Sequence, residues 1–217
     1  MTPPPGRPPG GSPDRHPGEG GDPAHTKTPL ILASASPRRL DLLARIGVTP
    51  DAVVPANIDE SVRAGELPRV HALRLAEEKA AAVAADHPEA LVLAADTVVA
   101  VGRRILPKVE DEATLRRCMA LLSGRRHRVL TGVALAAPGT RLRSKVVETV
   151  IAMKRLSTEE IDFYAGHGEW RGKAGGYALQ GYGEVYVRHI AGSYSNVVGL
   201  PLAETRRLLK SAGYPLA

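Results

Sequence analysis

Ser34, Ser36, Arg38 and Arg39 stand where a short apolar run, residues 30–33, gives way to a helical pattern. The unpaired N–H groups and partial positive charge of a helix N-terminus attract anions. Guanidinium groups add paired donors that suit phosphate oxygens, and the serines add hydroxyl groups. The segment therefore has the chemistry of a phosphate site. A capped helix with two solvated arginines explains the same residues equally well.

Two acidic segments supply candidate carboxylates. Asp96 and Thr97 follow the apolar run ALVLAA at residues 90–95. A carboxylate at the C-terminal end of a buried strand is a common metal ligand or general base, so we expect Asp96 to have one of these roles. Asp59 and Glu60 lie in a predicted loop. Either could join Asp96 around Mg²⁺, which binds carboxylate and phosphate oxygens, although the residues alone favour a solvated acidic loop.

Lysines and a glycine-rich segment complete the candidate residues. Lys79 in RLAEEKA and Lys108 in ILPKVE resemble ordinary surface lysines when each is considered by itself. Residues 173–183, KAGGYALQGYG, include Lys173 and Gln180. Glycines allow a ligand to approach the backbone closely, and a Gln amide can read a base edge. A flexible connection between strands is the alternative interpretation.

Hydrophobic periodicity assigns these residues to alternating strands and helices. Strands are predicted at residues 30–33, 52–55, 90–95, 129–137, 144–153, 177–179 and 184–190, with a hairpin of TVVAV and RRIL around Gly102. Helices are predicted at residues 36–47, 68–85, 111–122, 157–165 and 201–210. The mixture of hairpin and crossover connections predicts an α/β fold with a mixed sheet.

Two of these helices have specific predicted features. The first has Ser36 as its N-cap, Pro37 in its first turn and Gly47 at its end. The second, residues 68–85, is expected to bury one side composed of Val70, Leu73, Ala76, Ala80 and Val83.

Composition and charge limit the class of protein. The chain has 217 residues and a net charge of +6, which favours anionic partners such as nucleotides, nucleic acid or an acidic surface. A basic–aromatic stretch for binding nucleic acid is not evident. Cys118 is the single cysteine, so the chain forms no internal disulfide, and its helical context predicts packing rather than reactivity. With neither a membrane span nor an apolar leader in the sequence, we expect a cytoplasmic protein.

Residues 1–28 differ from the rest of the chain. They contain eight prolines and six glycines and almost no large apolar side chains. Such a segment cannot bury enough surface to offset its ordering entropy. We therefore predict a disordered tail at 1–28 and one folded domain at 29–217.

Eight segments in order across residues 30–212 resemble the Maf family of nucleoside triphosphate pyrophosphatases. They are LASASPRR, IDES, RLAEEKA, AADTVV, LPK, LSGRRHRVLTGVAL, KAGGYALQG and GSYSNVVGLPL. The resemblance implies hydrolysis of a nucleotide to its monophosphate and pyrophosphate with a divalent cation, usually Mg²⁺ or Mn²⁺. It further implies a two-lobed mixed α/β fold with the active site in the cleft, and a homodimer, which the family often forms.

The resemblance also assigns residues. Asp96 is the implied proton acceptor and, with Glu60, the metal ligand. Those implied to bind substrate are Ser36, Arg38, Arg39, Lys79, Thr97, Lys108, Lys173 and Gln180. Arg38, Thr97 and Gln180 match the dTTP/UTP branch, since the 7-methyl-GTP branch is expected to have Trp, Gln and Glu at these positions. One departure is Val109, where many members have proline.

Two alternatives to this interpretation remain. One is a 7-methyl-GTP pyrophosphatase of the same family. The other is a non-catalytic nucleotide-binding regulator of cell division. The presence of every charged residue of the implied pocket argues against the second.

Overall fold

A computed structural model describes residues 1–2 and 28–216 of the protein. The predicted disordered tail lies almost entirely outside the described residues. Their strands are β1 (Leu30–Ala33), β2 (Ala52–Val53), β3 (Leu91–Val101), β4 (Arg104–Leu106), β5 (Lys108–Val109), β6 (Arg126–Ala136), β7 (Arg143–Met153), β8 (Lys173–Ala174) and β9 (Val187–Ala191). Their helices are α1 (Pro37–Ala44), α2 (Pro68–Asp86), α3 (Glu112–Leu122), α4 (Thr158–His167), α5 (Tyr194–Val198) and α6 (Leu202–Ser211), with a 3-10 helix at Tyr182–Tyr186.

The main sheet is mixed, as predicted. Its strand order is β2-β1-β3-β6-β7-β9, and β4 pairs with the end of β3. β1 runs parallel to β2 and β3, whereas β6, β7 and β9 are antiparallel to their neighbours. A separate two-stranded sheet joins β5 to β8. The α/β class with helices on a mixed sheet is thus confirmed.

The apolar residues form a core on each side of the sheet and a third at one end. On one face, Leu42 and Leu43 of α1 and Leu209 of α6 pack against the sheet. On the other face α2 packs through small residues, among them Ala76 and Ala80. The third core contains most of the buried aromatic residues and the buried side of α3, including Cys118, which is buried as predicted. This third core forms the second lobe of the molecule.

The sequence predicts Asp96 at the end of a strand, but in the structure it lies within one. ALVLAA and TVVAV are one continuous strand, β3, and Asp96 is its sixth residue, opposite Gly132 of β6. The strand continues because β6 pairs with it from Val92 to Ala100. β1 stops opposite Ala94, so Asp96 lies just beyond the end of that neighbour.

The predicted buried side of α2 is partly wrong. Val70 is 53% exposed, whereas Lys79 is buried along with Ala72, Ala76 and Ala80. These four buried residues follow the three- and four-residue spacing of one helix face. The prediction used apolar residues to find the buried face of α2. Because the buried Lys79 is not apolar, the predicted face was partly misplaced.

Three further predictions differ from the structure. Residues 177–179 form no strand, because Gly175 and Gly176 take positive φ angles and turn the chain directly after β8. Part of the predicted strand at 184–190 is a 3-10 helix. Ser36 occupies the N-cap position of α1, but its side chain makes no capping hydrogen bond.

α5 was not predicted. Its N-cap is Ser193, whose hydroxyl accepts a hydrogen bond from the backbone N–H of Asn196.

No helix within residues 28–216 combines the length and the hydropathy of a membrane span.

Candidate active site

A cleft of about 450 Å³ opens beyond the end of β1, between the two lobes. Eleven of the twelve residues singled out from the sequence line it: Ser34, Ser36, Arg38, Arg39, Glu60, Lys79, Asp96, Thr97, Lys108, Lys173 and Gln180. Asp59, the other candidate carboxylate of its loop, does not line the cleft. The eleven residues come from six separate segments of the chain. Neither the cleft nor this convergence is visible in any one motif.

Arg38 and Ser36 offer donors to the cleft from the N-terminus of α1. Arg38 is half-buried, and its guanidinium makes no hydrogen bond or ion pair within residues 28–216. Burial lowers the pKa of Arg38, because a charged group loses hydration there. The Ser36 hydroxyl is likewise without a hydrogen bond in the described chain. This end of α1 thus presents an uncompensated cation and a free hydroxyl, which suit an anionic ligand.

Arg39 is held rigidly by neutral acceptors. Its Nε donates to the Gly199 carbonyl at 2.8 Å, and its Nη1 donates to Ser34 Oγ at 2.7 Å. Nη2 lies 3.4 Å from Thr97 Oγ1, which in turn lies 3.0 Å from Thr131 Oγ1. Burial lowers the pKa of Arg39. The nearby negative charge of Asp96 raises this pKa, and the positive charge of Arg38 lowers it. No carboxylate bonds to Arg39 within the described residues, so it is a fixed positive charge at the base of the cleft.

Four charged side chains form an alternating chain across the cleft. Lys79 Nζ lies 2.7 Å from Asp96 Oδ1 and 2.6 Å from Glu60 Oε1. Lys108 Nζ lies 2.5 Å from Glu60 Oε2. Lys79 and Asp96 are buried, whereas Glu60 and Lys108 are partly exposed. The carboxylates of Asp96 and Glu60 thus share one lysine, and Glu60 reaches across to the second lobe.

The pKa of Glu60 reflects these lysines. Burial by itself raises the pKa of this carboxyl. The hydrogen bonds and charges of Lys108 and Lys79 outweigh burial and hold the pKa at about 2. Glu60 is therefore ionised at any pH near neutrality.

Close packing of α2 on the sheet brings Lys79 to Asp96. A Cβ added at Gly132 would lie 2.1 Å from the carbonyl oxygen of Ala72 in α2. Only glycine allows this approach, because a Cβ atom in a protein essentially never lies closer than 3.0 Å to a non-bonded heavy atom. On the helix side, the buried face of α2 has the small side chains of Ala72 and Ala76, which also allow close packing. Gly132 of β6 and the small residues Ala72 and Ala76 of α2 therefore place the lysine beside the aspartate.

The segment from Lys173 to Gln180 forms the wall of the cleft opposite α1. Burial lowers the pKa of Lys173, and the charge of Arg38 lowers it further. Gln180 is exposed and makes no hydrogen bond within residues 28–216. Tyr177 anchors this segment to the sheet, because its hydroxyl lies 2.7 Å from Nε2 of the buried His127. The Gln180 amide is thus available to a ligand.

Several cleft residues were missed from the sequence, among them Glu110, Arg171 and Gly199. Arg171 lines the cleft, with its guanidinium 4.5 Å from the centre of the Trp170 ring and Nη1 3.3 Å from the Glu110 carbonyl. Gly199 offers its carbonyl to Arg39. The cation beside a glycine in WRGK could have suggested Arg171. A backbone carbonyl leaves no trace in residue type, so no signal identified Gly199.

Glu60 and Asp96 are the residues that could hold a metal ion. Within residues 28–216, no group of three or more His, Cys, Asp or Glu side chains is arranged to hold one. Mg²⁺ at nucleotide sites takes one or two carboxylates, and substrate phosphates and water complete its shell. The two carboxylates therefore fit a hard divalent cation that arrives with a phosphorylated ligand.

The cleft of this mixed α/β fold joins uncompensated cations to two carboxylates, a combination whose chemistry suits a phosphorylated ligand. The chain belongs to the Maf family, since the family's sequence model, described as "Maf-like protein", matches residues 29–212.

The chain is also similar to curated proteins named dTTP/UTP pyrophosphatase. The one from Paramagnetospirillum magneticum is 62% identical over 185 residues, which are 85% of this chain and 97% of that protein. The one from Caulobacter vibrioides is also 62% identical over 185 residues, 85% of this chain and 96% of that protein. Among solved structures, the Staphylococcus aureus Ham1 protein matches with a TM-score of 0.43 and 16% identity over 58% of this chain and 72% of that one.

Proposed function

We propose that the protein hydrolyses dTTP and UTP to the nucleoside monophosphate and pyrophosphate. The observation that carries this proposal is that the unpaired guanidinium of Arg38 and the Asp96–Lys79–Glu60 group line the same cleft. Membership in the Maf family and the names of relatives about 60% identical to this chain support the same reaction.

The cations of the cleft bind and orient the triphosphate. Arg38 presents paired donors, and Lys173 adds charge from the opposite wall. The Ser36 hydroxyl and the N-terminus of α1 add neutral donors. Lys79 and Lys108 neutralise the charge that develops as pyrophosphate leaves. Catalysis then depends mainly on positioning and electrostatic stabilisation.

Asp96 accepts the proton of the attacking water. Lys79 fixes Oδ1, and Oδ2 makes no hydrogen bond within the described part of the chain. That oxygen is therefore free to take a proton as water attacks and the α–β phosphoanhydride bond breaks. A positioned general base contributes about 10²–10⁴-fold to a rate.

Glu60 and Asp96 would hold the divalent cation, Mg²⁺ or Mn²⁺. When bound, the cation would neutralise phosphate charge and polarise the bond that breaks. The contribution of the chain is to present two carboxylates of fixed position, one buried and one on a loop.

Arg38, Thr97 and Gln180 are the positions at which the family resemblance separates the dTTP/UTP branch from the 7-methyl-GTP branch, and all three line the cleft. Gln180 offers one donor and one acceptor face, which match the paired polar edge of a pyrimidine. Thr97 acts at the base of the cleft through its contacts with Arg39 and Thr131.

The experiment is a substrate panel. Pyrophosphate release is measured with Mg²⁺ or Mn²⁺ from dTTP, UTP, CTP, GTP, ATP and 7-methyl-GTP. Wild type is compared with Asp96→Asn and with the control Asp41→Asn, which alters an exposed carboxylate of α1. We expect release from dTTP and UTP, a loss of at least ~10²-fold in Asp96→Asn with the fold retained, and no change in the control.

Other outcomes reject defined parts of the proposal. Release from 7-methyl-GTP alone would keep the reaction and reject the assignment of the base. Full activity in Asp96→Asn would reject Asp96 as the base. Nucleotide binding without release from any substrate would identify a non-catalytic regulator.

We also propose that residues 29–217 act as one catalytic domain and that the protein is a cytoplasmic homodimer. The homodimer rests on family membership. Light scattering of the full chain tests the dimer. Removal of residues 1–28 without loss of activity would support the domain boundary.

A further inference from the structure

A buried charge network lies outside the cleft, where the loop after β2 meets α2. Arg74 donates from Nε to Glu66 Oε1 at 2.6 Å and from Nη2 to Glu66 Oε2 at 2.9 Å. His71 Nδ1 lies 2.8 Å from the same carboxylate, and Arg74 Nη1 donates to Glu78 at 2.9 Å. The side chains of Glu66, His71 and Arg74 are at most 11% exposed. None of these residues lines the cleft, so the proposed reaction does not use them.

Arg74 also holds the backbone next to the active site. Its Nη2 donates to the carbonyl of Ser61 at 3.0 Å, and Ser61 directly follows Glu60. Glu66, fixed by Arg74, accepts a further hydrogen bond from the backbone N–H of Arg63 at 3.0 Å. One guanidinium therefore holds this loop at two points.

Besides the bonds of Arg74 and the Glu60–Lys79 contact, the loop that carries Glu60 is joined to α2 by an exposed ion pair, Arg63 Nη2 with Glu78 Oε1 at 2.9 Å. Residues 54–63 contain no helix or strand. The contacts of Asp59 with the N–H and hydroxyl of Ser61 shape only a local turn. Without the bonds of Arg74, the loop would be held to α2 mainly by that exposed ion pair, which contributes little, and by Lys79, which Glu60 must share with the substrate.

The same helix carries the residue that Glu60 contacts. Lys79 lies five residues after Arg74 in α2, about 7.5 Å along the helix axis. Because α2 is continuous between them, the point that holds the loop and the lysine that Glu60 meets are fixed relative to each other. Arg74 therefore does more than stabilise the loop locally, because α2 carries both Arg74 and Lys79 and so sets the Glu60–Lys79 contact.

We propose that Arg74 is a positioning residue that acts through the Ser61 carbonyl and Glu66 to place the Glu60 carboxylate for the metal-bound nucleotide. This inference rests on the proposed function. It requires that the effect of Arg74 on substrate binding depends on Glu60. A residue that only stabilised the fold would have the same effect whether or not Glu60 is present.

A double-mutant cycle tests this dependence. Arg74→Gln is made in wild type and in Glu60→Gln, and the Mg²⁺-dependent affinity for α,β-imido-dUTP is measured alongside kcat/KM for UTP. We expect Arg74→Gln to lower affinity and kcat/KM by roughly 10- to 100-fold in wild type, but by less than about twofold in Glu60→Gln. Equal losses in both backgrounds would overturn the proposal.

Amide hydrogen exchange provides a second readout that needs no substrate. We expect faster exchange at residues 58–66 in Arg74→Gln than in wild type, and unchanged exchange there overturns the proposal. If wild type hydrolyses no nucleotide, the proposed function fails, and exchange alone then decides whether Arg74 holds the loop.

Two further variants complete the design. Arg116→Gln is the matched control, since Arg116 also bonds two carboxylates, Glu112 and Asp162, but lies away from the cleft. We expect it to leave affinity and loop exchange unchanged. If Arg74→Gln does not fold, Arg74→Lys replaces it, because an ammonium keeps the charge but cannot serve Ser61 and both oxygens of Glu66 together.

Discussion

Gly132→Ala tests whether the close approach of α2 to the sheet sets the active site. The added Cβ would lie 2.1 Å from the Ala72 carbonyl oxygen and 2.6 Å from its carbonyl carbon. Both atoms are backbone, so no side-chain rotation can relieve the contact. The helix must move away from β6 by about 1 Å before the contact becomes tolerable.

The size of the effect follows from that displacement. Forcing extra atoms into a packed core costs about 1–3 kcal/mol, and occasionally more. We expect the upper end of this range, because a helix of 19 residues must shift as a unit. The shift also carries Lys79 away from Asp96. A displacement of ~1 Å in a catalytic group costs on the order of 10²-fold in rate, so we expect kcat/KM to fall by about that factor.

The assay compares this variant with Gly166→Ala. Gly166 lies within α4, and its added Cβ would meet nothing within 4 Å. Alanine is there the better helix former by up to about 1 kcal/mol. Urea denaturation gives the free energy of unfolding, and pyrophosphate release gives kcat/KM well below the melting temperature. If Gly132→Ala stays within twofold of wild type and unfolds at the same urea concentration, the contact does not constrain α2 and the reasoning is wrong.

The other predictions concern a buried histidine and the cleft arginine. Burial lowers the pKa of His127 to about 4. Because the unfolded chain takes up this proton near pH 6.5, we expect stability to be complete above that pH and to fall by up to about 3 kcal/mol as pH drops to 4. In urea denaturation at pH 7 and pH 4.5, His127→Gln should lose this part of the pH dependence, whereas the exposed control His189→Gln should keep it. Arg38→Lys should lower kcat/KM for UTP by roughly 10- to 100-fold, because an ammonium lacks paired donors. Arg45→Lys at the end of the same helix should have no effect, and equal activity of the two variants would contradict a paired contact.

Much of the fold could be predicted because hydrophobic periodicity reports burial directly. β1, α3 and the start of α4 lie where the sequence places them. The continuous strand β3 could not be predicted, since a charged residue in its middle resembles a strand end. Asp96 remains within the strand because β6 pairs with it and Lys79 meets its charge.

The candidate site was likewise predicted in part: many of its residues could be identified from the sequence, but not the contacts that position them. The order of short motifs indicates which residues meet, and the structure brings them to one cleft. Lys79 considered alone looked like a surface lysine, because its burial depends on the small residues of a distant strand. The partners of Arg39 and the loop contacts of Arg74 involve backbone carbonyls, which residue types do not reveal.

The alternating chain of Lys108, Glu60, Lys79 and Asp96 means that the free protein holds its own counter-ions in the cleft. An incoming phosphate therefore does not meet two vacant ammonium groups. At the lysines it must instead displace the Glu60 carboxylate that both of them already contact. The two lysines therefore have carboxylate partners before a ligand arrives, whereas Arg38 in the same cleft has none among the described residues.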